Sequence, residues 1–109
     1  MSEDKMIVCI IEFGVRVGLE TQHQRIVSEL LDEVAKIDGF ISKETFDSRN
    51  VPGKIITISY WRDELSLQRW MTNAVHRRAI PIGKRELFTH YTIQIAEVKR
   101  DNQWASTKP

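Results

Sequence analysis

The order in which strand-like and helix-like patterns follow one another is the feature that most limits the fold. Residues 6–17 open with an almost unbroken apolar run, which is typical of a strand covered on both faces. Residues 21–38 then place apolar side chains at helical spacing, and Gly39 follows directly, as is common at a helix C-terminus. The chain therefore begins with one strand and one amphipathic helix.

The next segment predicts a β-hairpin. Residues 40–49 alternate between apolar and polar side chains, which is typical of a strand with one exposed face. Residues 54–61 are β-branched and aromatic, and Gly53 lies in the turn between the two runs. By strict alternation, Phe40 points to the face opposite Lys43.

A second helical region follows the hairpin. Asp63 stands where an N-cap is needed, and Leu67, Trp70 and Met71 form the predicted buried side of the helix. Residues 72–73 are polar and interrupt the apolar pattern. The pattern therefore predicts a short helix that ends before a break.

Beyond the break, residues 74–88 predict a further helical segment. Pro81 and Gly83 fall inside it, so we expect a kink or a short gap there. Residues 89–99 carry alternating apolar side chains and predict the last strand.

The complete order is β, α, β, β, α, β. A ferredoxin-like α+β fold, with a four-stranded antiparallel sheet and helices on one face, is the common layered solution for this order. Helices cover only one face of the sheet, and the other face carries too many apolar side chains for contact with water. We therefore expect a homodimer formed through this sheet face. The domain spans residues 6–100, between a disordered N-terminus (1–5) and a polar C-terminal tail (101–109).

Composition excludes several classes of function. The net charge is +1, from 16 basic and 15 acidic residues, so no basic surface for nucleic acid is predicted. Cys9 is the single cysteine and the three histidines are scattered, which gives neither a disulfide nor a metal site. No apolar stretch approaches the ~20 residues of a membrane span, and no signal peptide opens the chain, so we expect a cytoplasmic protein.

The second half of the chain contains a recognisable set of residues: Ser59-Tyr60-Trp61, Leu67, Trp70, His76-Arg77, Gly83-Lys84-Arg85 and Tyr91. With these residues the chain resembles the antibiotic biosynthesis monooxygenase family. The resemblance extends over residues 6–100 and is strongest from 55 to 100. It implies a dimeric α/β barrel, closest to the small haem-degrading monooxygenase-like proteins.

The resemblance implies one of two chemistries. Some members oxidise quinols or phenols with dioxygen and no cofactor, and others bind haem and cleave it. The haem-cleaving members have an asparagine on the first strand, a helix tryptophan and a later histidine. Trp70 matches the tryptophan, but Ile80 stands near the histidine position and the first strand has no asparagine.

Three residues are the catalytic candidates. Trp70 is either a core residue or one wall of a flat pocket on which an aromatic substrate stacks. His76 and Arg77 are either a solvated helix end or a general base with a cation that stabilises a phenolate. His23, in a polar stretch, is interpreted as a surface residue.

Aromatic side chains near this pocket are the predicted substrate contacts. Tyr60 and Trp61 are neighbours on one strand and so point to opposite faces of the sheet. With Phe40 and Phe88 they form the predicted substrate-binding set for a small aromatic ligand.

The leading hypothesis is a cofactor-independent monooxygenase that acts on a small aromatic or quinol-like compound. The alternatives are a haem-binding, haem-degrading monooxygenase and a non-catalytic dimeric module for ligand binding or stress response. The last needs no catalytic residues, and a closed pocket behind Trp70 would favour it.

Overall fold

A computed structural model describes residues 5–108, with Ala74 and Val75 described by their backbone alone. The predicted order of elements is confirmed, with the second helical region divided into two helices and one π-helical turn. The elements are β1 (Ile7–Val15), α1 (Glu20–Val34), β2 (Phe40–Asp47), β3 (Lys54–Trp61), α2 (Glu64–Met71), α3 (Ala74–Ile82), the π-turn (Gly83–Leu87) and β4 (Phe88–Glu97).

The four strands form one antiparallel sheet in the order β2-β3-β1-β4. The central strand β1 pairs along its length with β3 on one side and β4 on the other. Its alternate residues Ile7, Cys9 and Phe13 are buried. They face the helices, because Ile7 and Cys9 belong to the same core cluster as Val34 of α1. The predicted ferredoxin-like α+β fold is therefore correct.

Each outer strand carries one bulge that changes which side chains face the helices. In β2 the register shifts between Phe40 and Ser42, so Ile41 is an extra residue opposite β3. Phe40 is paired with Trp61, and Lys43 with Ser59, so both lie on the helix-covered face. The predicted strict alternation, which put Phe40 and Lys43 on opposite faces, is wrong because of this bulge.

The second bulge lies at the start of β4. Gly14 pairs with His90 and Val15 pairs with Phe88, which leaves Thr89 as the extra residue. Phe88 and Tyr91 therefore share the helix-covered face, and their rings stack at 5.6 Å between centroids.

The break predicted at residues 72–73 is present between α2 and α3. The expected kink begins at Gly83, where α3 passes into the π-turn, whereas Pro81 lies inside α3. Met71 was predicted to be buried, but 37% of it is exposed because it ends α2 beside the break. Leu67 and Trp70 are buried, as predicted.

The start of α2 is fixed by a close set of polar contacts. Asp63 is the N-cap, and its Oδ1 accepts hydrogen bonds from the Ser66 backbone N at 2.8 Å and from the Ser66 hydroxyl at 2.6 Å. Arg62 donates to both carboxylate oxygens of Asp38, at 3.1 and 3.2 Å. Ser66 is fully buried, and Gly39 packs directly against it.

Of the two predicted terminal segments, most of the C-terminal one lies within the described residues. Apart from Lys5, the predicted disordered segment 1–5 lies outside the described residues. Residues 98–108 form neither helix nor strand, and Trp104 is 87% exposed. Over the residues that are described, none of the helices combines the length and apolar character that crossing a bilayer requires.

Replacing Gly39 by alanine tests the packing at the start of α2. Gly39 has φ +95° and a Cβ there would collide with Ser66. Gly18 is the matched control, because its φ is +91° but its surroundings are open. We expect Gly18→Ala to lower the free energy of unfolding by about 1–2 kcal/mol through backbone strain alone. Gly39→Ala should lower the free energy of unfolding by a further ~1–3 kcal/mol, because its methyl group would collide with Ser66. Urea denaturation of both variants measures this, and equal losses would contradict the packing described.

Candidate functional site

A cavity of about 220 Å³ lies between the sheet and the helical layer. Its sheet side includes the small side chains Cys9, Thr57 and Ser59, which are buried on β1 and β3. The exposed side chain of Lys84 also lies on the lining, so the cavity reaches solvent. Because the walls are mostly apolar, the cavity suits a compact ligand with few polar groups.

Trp70 and His76 form one wall of the cavity. Trp70 lies in the last turn of α2 and is 7% exposed, and His76 lies in the first turn of α3. The break between the helices folds α3 back, so the two rings lie 4.5 Å apart between centroids and 36° from parallel. Asn73 helps to fix this turn, because its Oδ1 accepts a hydrogen bond from the His76 backbone N at 3.2 Å.

The imidazole of His76 lies inside the protein, although the Arg77 and Arg78 side chains beside it are exposed. Its Nδ1 is buried with no hydrogen-bond partner among the described residues. In the neutral imidazole that carries its proton on Nε2, Nδ1 is an acceptor that a ligand can use.

Burial lowers the pKa of His76 to about 4, and the positive charge of Lys43 adds to this effect. The imidazole is therefore neutral at neutral pH. It can accept a hydrogen bond or a proton, but it is a weaker base than an ordinary histidine.

The far end of the cavity is a cluster of aromatic rings. Phe13 and Phe88 lie 5.1 Å apart between centroids, and His23 packs on both, at 5.3 Å from Phe13 and 5.9 Å from Phe88. The prediction that His23 lies on the surface is wrong, because α1 turns this side chain toward the sheet. Burial lowers the pKa of His23 and raises that of Tyr91.

Lys43 also lines the cavity, and sequence reasoning missed it. It lies opposite Ser59 on the helix-covered face and is half-buried. Burial lowers the pKa of Lys43. The sequence pattern of β2 predicts a half-exposed strand, and a lysine in such a strand is ordinarily a surface residue. The bulge at Ile41 places Lys43 on the helix-covered face, and the sequence pattern does not predict this bulge.

The predicted site residues are only partly brought together. Trp61 and Phe88 line the cavity, and Trp61 donates its indole N–H to the Ser59 hydroxyl at 3.0 Å. Phe40 instead packs edge-on against Trp61 at 5.3 Å, outside the cavity lining. Tyr60 lies on the opposite face of the sheet, because it alternates with Trp61.

Arg77 does not lie with Trp70 and His76, the other two catalytic candidates. Its side chain is exposed and absent from the cavity lining, because neighbouring positions on a helix face different directions. Two lysines, Lys43 and Lys84, line the cavity, and the positive charge of Lys43 acts on His76. Within residues 5–108, no group of three or more histidine, cysteine or carboxylate side chains could hold a metal ion.

Comparison with known proteins agrees with the resemblance and with the fold. A model of the antibiotic biosynthesis monooxygenase family matches residues 6–81. A jasmonate monooxygenase ABM from Pyricularia oryzae is 40% identical over 73 residues, which make up 67% of this chain and 34% of that protein. The chain therefore spans about a third of the length of the curated relative it matches.

Solved structures with the same fold are more distant in sequence. A conserved protein from Methanosarcina mazei Go1 superposes with a TM-score of 0.78 at 19% identity, covering 87% of this chain and 94% of that one. SnoaB from Streptomyces nogalater, described as a cofactor-independent oxygenase, superposes with a TM-score of 0.74 at 14% identity, covering 89% and 96%. These similarities establish the fold.

The depressed pKa of His76 predicts a pH-dependent stability. Between pH 6.5 and about 4, the unfolded chain binds a proton at His76 that the folded chain does not. The free energy of unfolding should therefore fall as the pH decreases through this window, by on the order of 3 kcal/mol at its lower end. We expect His76→Phe to lack this part of the pH dependence, measured by urea denaturation at pH 4 to 7. His23 remains in both proteins, so the difference reports on His76, and identical pH profiles would contradict its burial.

Proposed function

Since the chain belongs to the antibiotic biosynthesis monooxygenase family, we propose that it is a cofactor-independent monooxygenase acting on a small aromatic or quinol-like compound. The observation that carries the proposal is the Trp70–His76 wall of the cavity. It combines a flat aromatic surface with a buried ring nitrogen that has no partner among the described residues.

The walls of the cavity favour a planar substrate. The Trp70 indole offers a face for stacking, and the aromatic cluster of Phe13, His23 and Phe88 closes the far end. A hydroxyl group of the substrate can donate to Nδ1 of His76, which satisfies an atom that is otherwise buried and unpaired. This polar contact orients the substrate in a mostly apolar site.

The proposed reaction uses this contact for proton transfer. The hydroxyl proton of a phenol passes to Nδ1 of His76, and the phenolate gives one electron to dioxygen. The resulting radicals join in a new carbon–oxygen bond para to the first oxygen, and the peroxide takes up the proton from His76. Loss of water then leaves a quinone. One phenol and one dioxygen give one quinone and one water, so the substrate supplies all four electrons and no reductant is consumed.

The low pKa of His76 sets a requirement on this step. A phenol has a pKa of about 10 in water, about six units above the pKa of about 4 at His76. Proton transfer to so weak a base needs a nearby positive charge that stabilises the phenolate as it forms. We assign this stabilisation of the phenolate to Lys43, because Lys43 lines the cavity and its charge acts on His76.

The residues present do not fit a haem. Sites for drug-sized ligands have volumes of about 300–1,000 Å³, and this cavity of about 220 Å³ is smaller. Ile80, near the position of the histidine in haem-cleaving members, lines the cavity with an alkyl side chain that cannot bind iron. This disagreement supports chemistry without a cofactor.

We also propose that the chain forms a homodimer through the face of the sheet that the helices leave open. In β3 the residues Ile56, Ile58 and Tyr60 alternate with the buried ones and remain partly exposed. Val8 and Ile10 of β1 extend the same apolar surface. An apolar surface of this kind on one face of a sheet is typical of an interface, and a two-fold axis would bury it in both copies.

Oxygen uptake with a panel of phenols and quinols tests the activity. We expect one dioxygen consumed per quinone formed, with no added reductant. His76→Ala should lower the rate about 100-fold or more, because proton transfer is lost. Trp70→Phe should lower it by a smaller factor, because the smaller ring offers less area for stacking. Trp104→Phe and His90→Gln are matched controls at exposed positions outside the cavity and should retain the rate. Ligand binding without any turnover would instead support the non-catalytic binding module.

The dimer is tested by placing a charge on the open face. Ile58→Glu lies at the centre of β3, opposite Ile10, and should convert the dimer to a monomer because the carboxylate would be buried unpaired. Val51→Glu, in the hairpin turn and 49% exposed as the native residue, is the control and should remain dimeric. Light scattering after size-exclusion chromatography gives the masses. A monomeric wild type, or a dimeric Ile58→Glu, would exclude this interface.

A further inference from the structure

The cavity lining carries positive charge that no carboxylate among the described lining residues balances. No aspartate or glutamate is among its lining residues in the part of the chain that the structure describes. Two lysines are present instead, Lys43 on β2 and Lys84 at the start of the π-turn. A positively charged, mostly apolar cavity selects for a ligand that brings negative charge.

The two lysines are not equivalent. Lys84 is exposed, and its Nζ lies 5.3 Å from the centroid of the Tyr91 ring, so water and the ring both stabilise its charge. Lys43 is half-buried, and no ion pair or hydrogen bond joins it to another side chain within residues 5–108. The neighbouring Ser59 accepts a hydrogen bond from the Trp61 indole N–H.

The side chain of Lys43 is partly buried and has no carboxylate partner among the described residues, so its charge loses part of its hydration without compensation from the protein. Replacing Lys43 by an apolar residue would relieve that cost without disturbing the ladder between β2 and β3, because the side chain makes no structural bond. The position therefore favours a role in ligand binding over a role in folding.

We propose that Lys43 is the counter-ion of an anionic oxygen of the substrate, so that the substrate is an organic acid with a compact planar body. This inference rests on the proposed function, because it takes the cavity as the substrate site. The ammonium donates a charge-assisted hydrogen bond to the oxyanion. Lys43 and His76 then act on the ligand from different elements, one holding its negative charge and the other accepting its proton.

The anionic oxygen has two chemical sources. It is either a carboxylate, which is ionised before binding, or the phenolate that forms when the reacting hydroxyl loses its proton. In the first case Lys43 determines specificity, and in the second it stabilises the reacting oxygen. Two pairs of probes separate these cases: 1-naphthoic acid with its methyl ester, and 1-naphthol with 1-methoxynaphthalene.

Binding at pH 7 is measured by quenching of tryptophan fluorescence, because Trp61 and Trp70 both line the cavity. If the source is a carboxylate, wild-type protein should bind 1-naphthoate at least about tenfold more tightly than the ester. If the source is a phenolate, the naphtholate absorbance of bound 1-naphthol should appear at a lower pH than the naphtholate absorbance of free 1-naphthol. The protein should then show little preference for the acid over the ester.

Lys43→Met should abolish whichever effect the wild type shows, and Lys43→Arg should retain it because the positive charge is kept. Lys99→Met, at an exposed position outside the cavity, is the control and should behave as wild type. The comparison of acid with ester in the wild type needs no variant, so it remains decisive even if one variant fails to fold.

The outcomes separate this inference from the proposed function. The absence of both an acid preference and a shifted naphthol titration in the wild type would overturn the role of Lys43. An effect that survives in Lys43→Met would overturn it as well. These results would not decide whether the protein is an oxygenase, because oxygen uptake tests that activity separately. Conversely, a Lys43-dependent preference in a protein without turnover would support the anion site and exclude the oxygenase.

Discussion

The rest of the structure depends on the small side chains at the centre of the sheet. Cys9, Thr57 and Ser59 are buried side by side on β1 and β3, where branched aliphatic residues would fill the space beneath the helices. Protein interiors otherwise pack to the density of organic crystals. Trp61 and Trp70 belong to the same core cluster as Cys9 and also line the cavity. The cavity is therefore built into the sequence of the central strands and does not arise from loose packing at an edge.

Burial in this cavity also decides the ionisation of its polar groups. Burial lowers the pKa of His23, His76 and Lys43, and it raises the pKa of Cys9 and Tyr91. Each shift favours the neutral form of its group, as desolvation requires. A thiol and a phenol with raised pKa values supply no anion to neutralise Lys43. We therefore assign the negative charge that Lys43 meets to a bound molecule.

The sequence predicted the scaffold well because local patterns determine it. The hairpin strand Lys54–Trp61 and the Asp63 cap were both identified, since β-branched runs and N-cap residues act over a few neighbouring positions. Side-chain direction on the outer strands was predicted less well. The bulges at Ile41 and Thr89 each shift the alternation by one residue, and they arise from pairing between distant strands. Lys43 was missed for this reason, and His23 because its polar neighbours suggested a surface position.

Fold and substrate choice are encoded in different residues of this chain. Solved structures at 14–19% identity retain the fold, so the sheet and its helices tolerate replacement of most side chains. The fold constrains Gly39 and the buried faces of β1 and β3, where packing leaves little freedom. It does not constrain Lys43, which makes no structural bond. We therefore explain Lys43 by what it binds, and selectivity for an acidic substrate can change at this position while the fold and the Trp70–His76 wall remain.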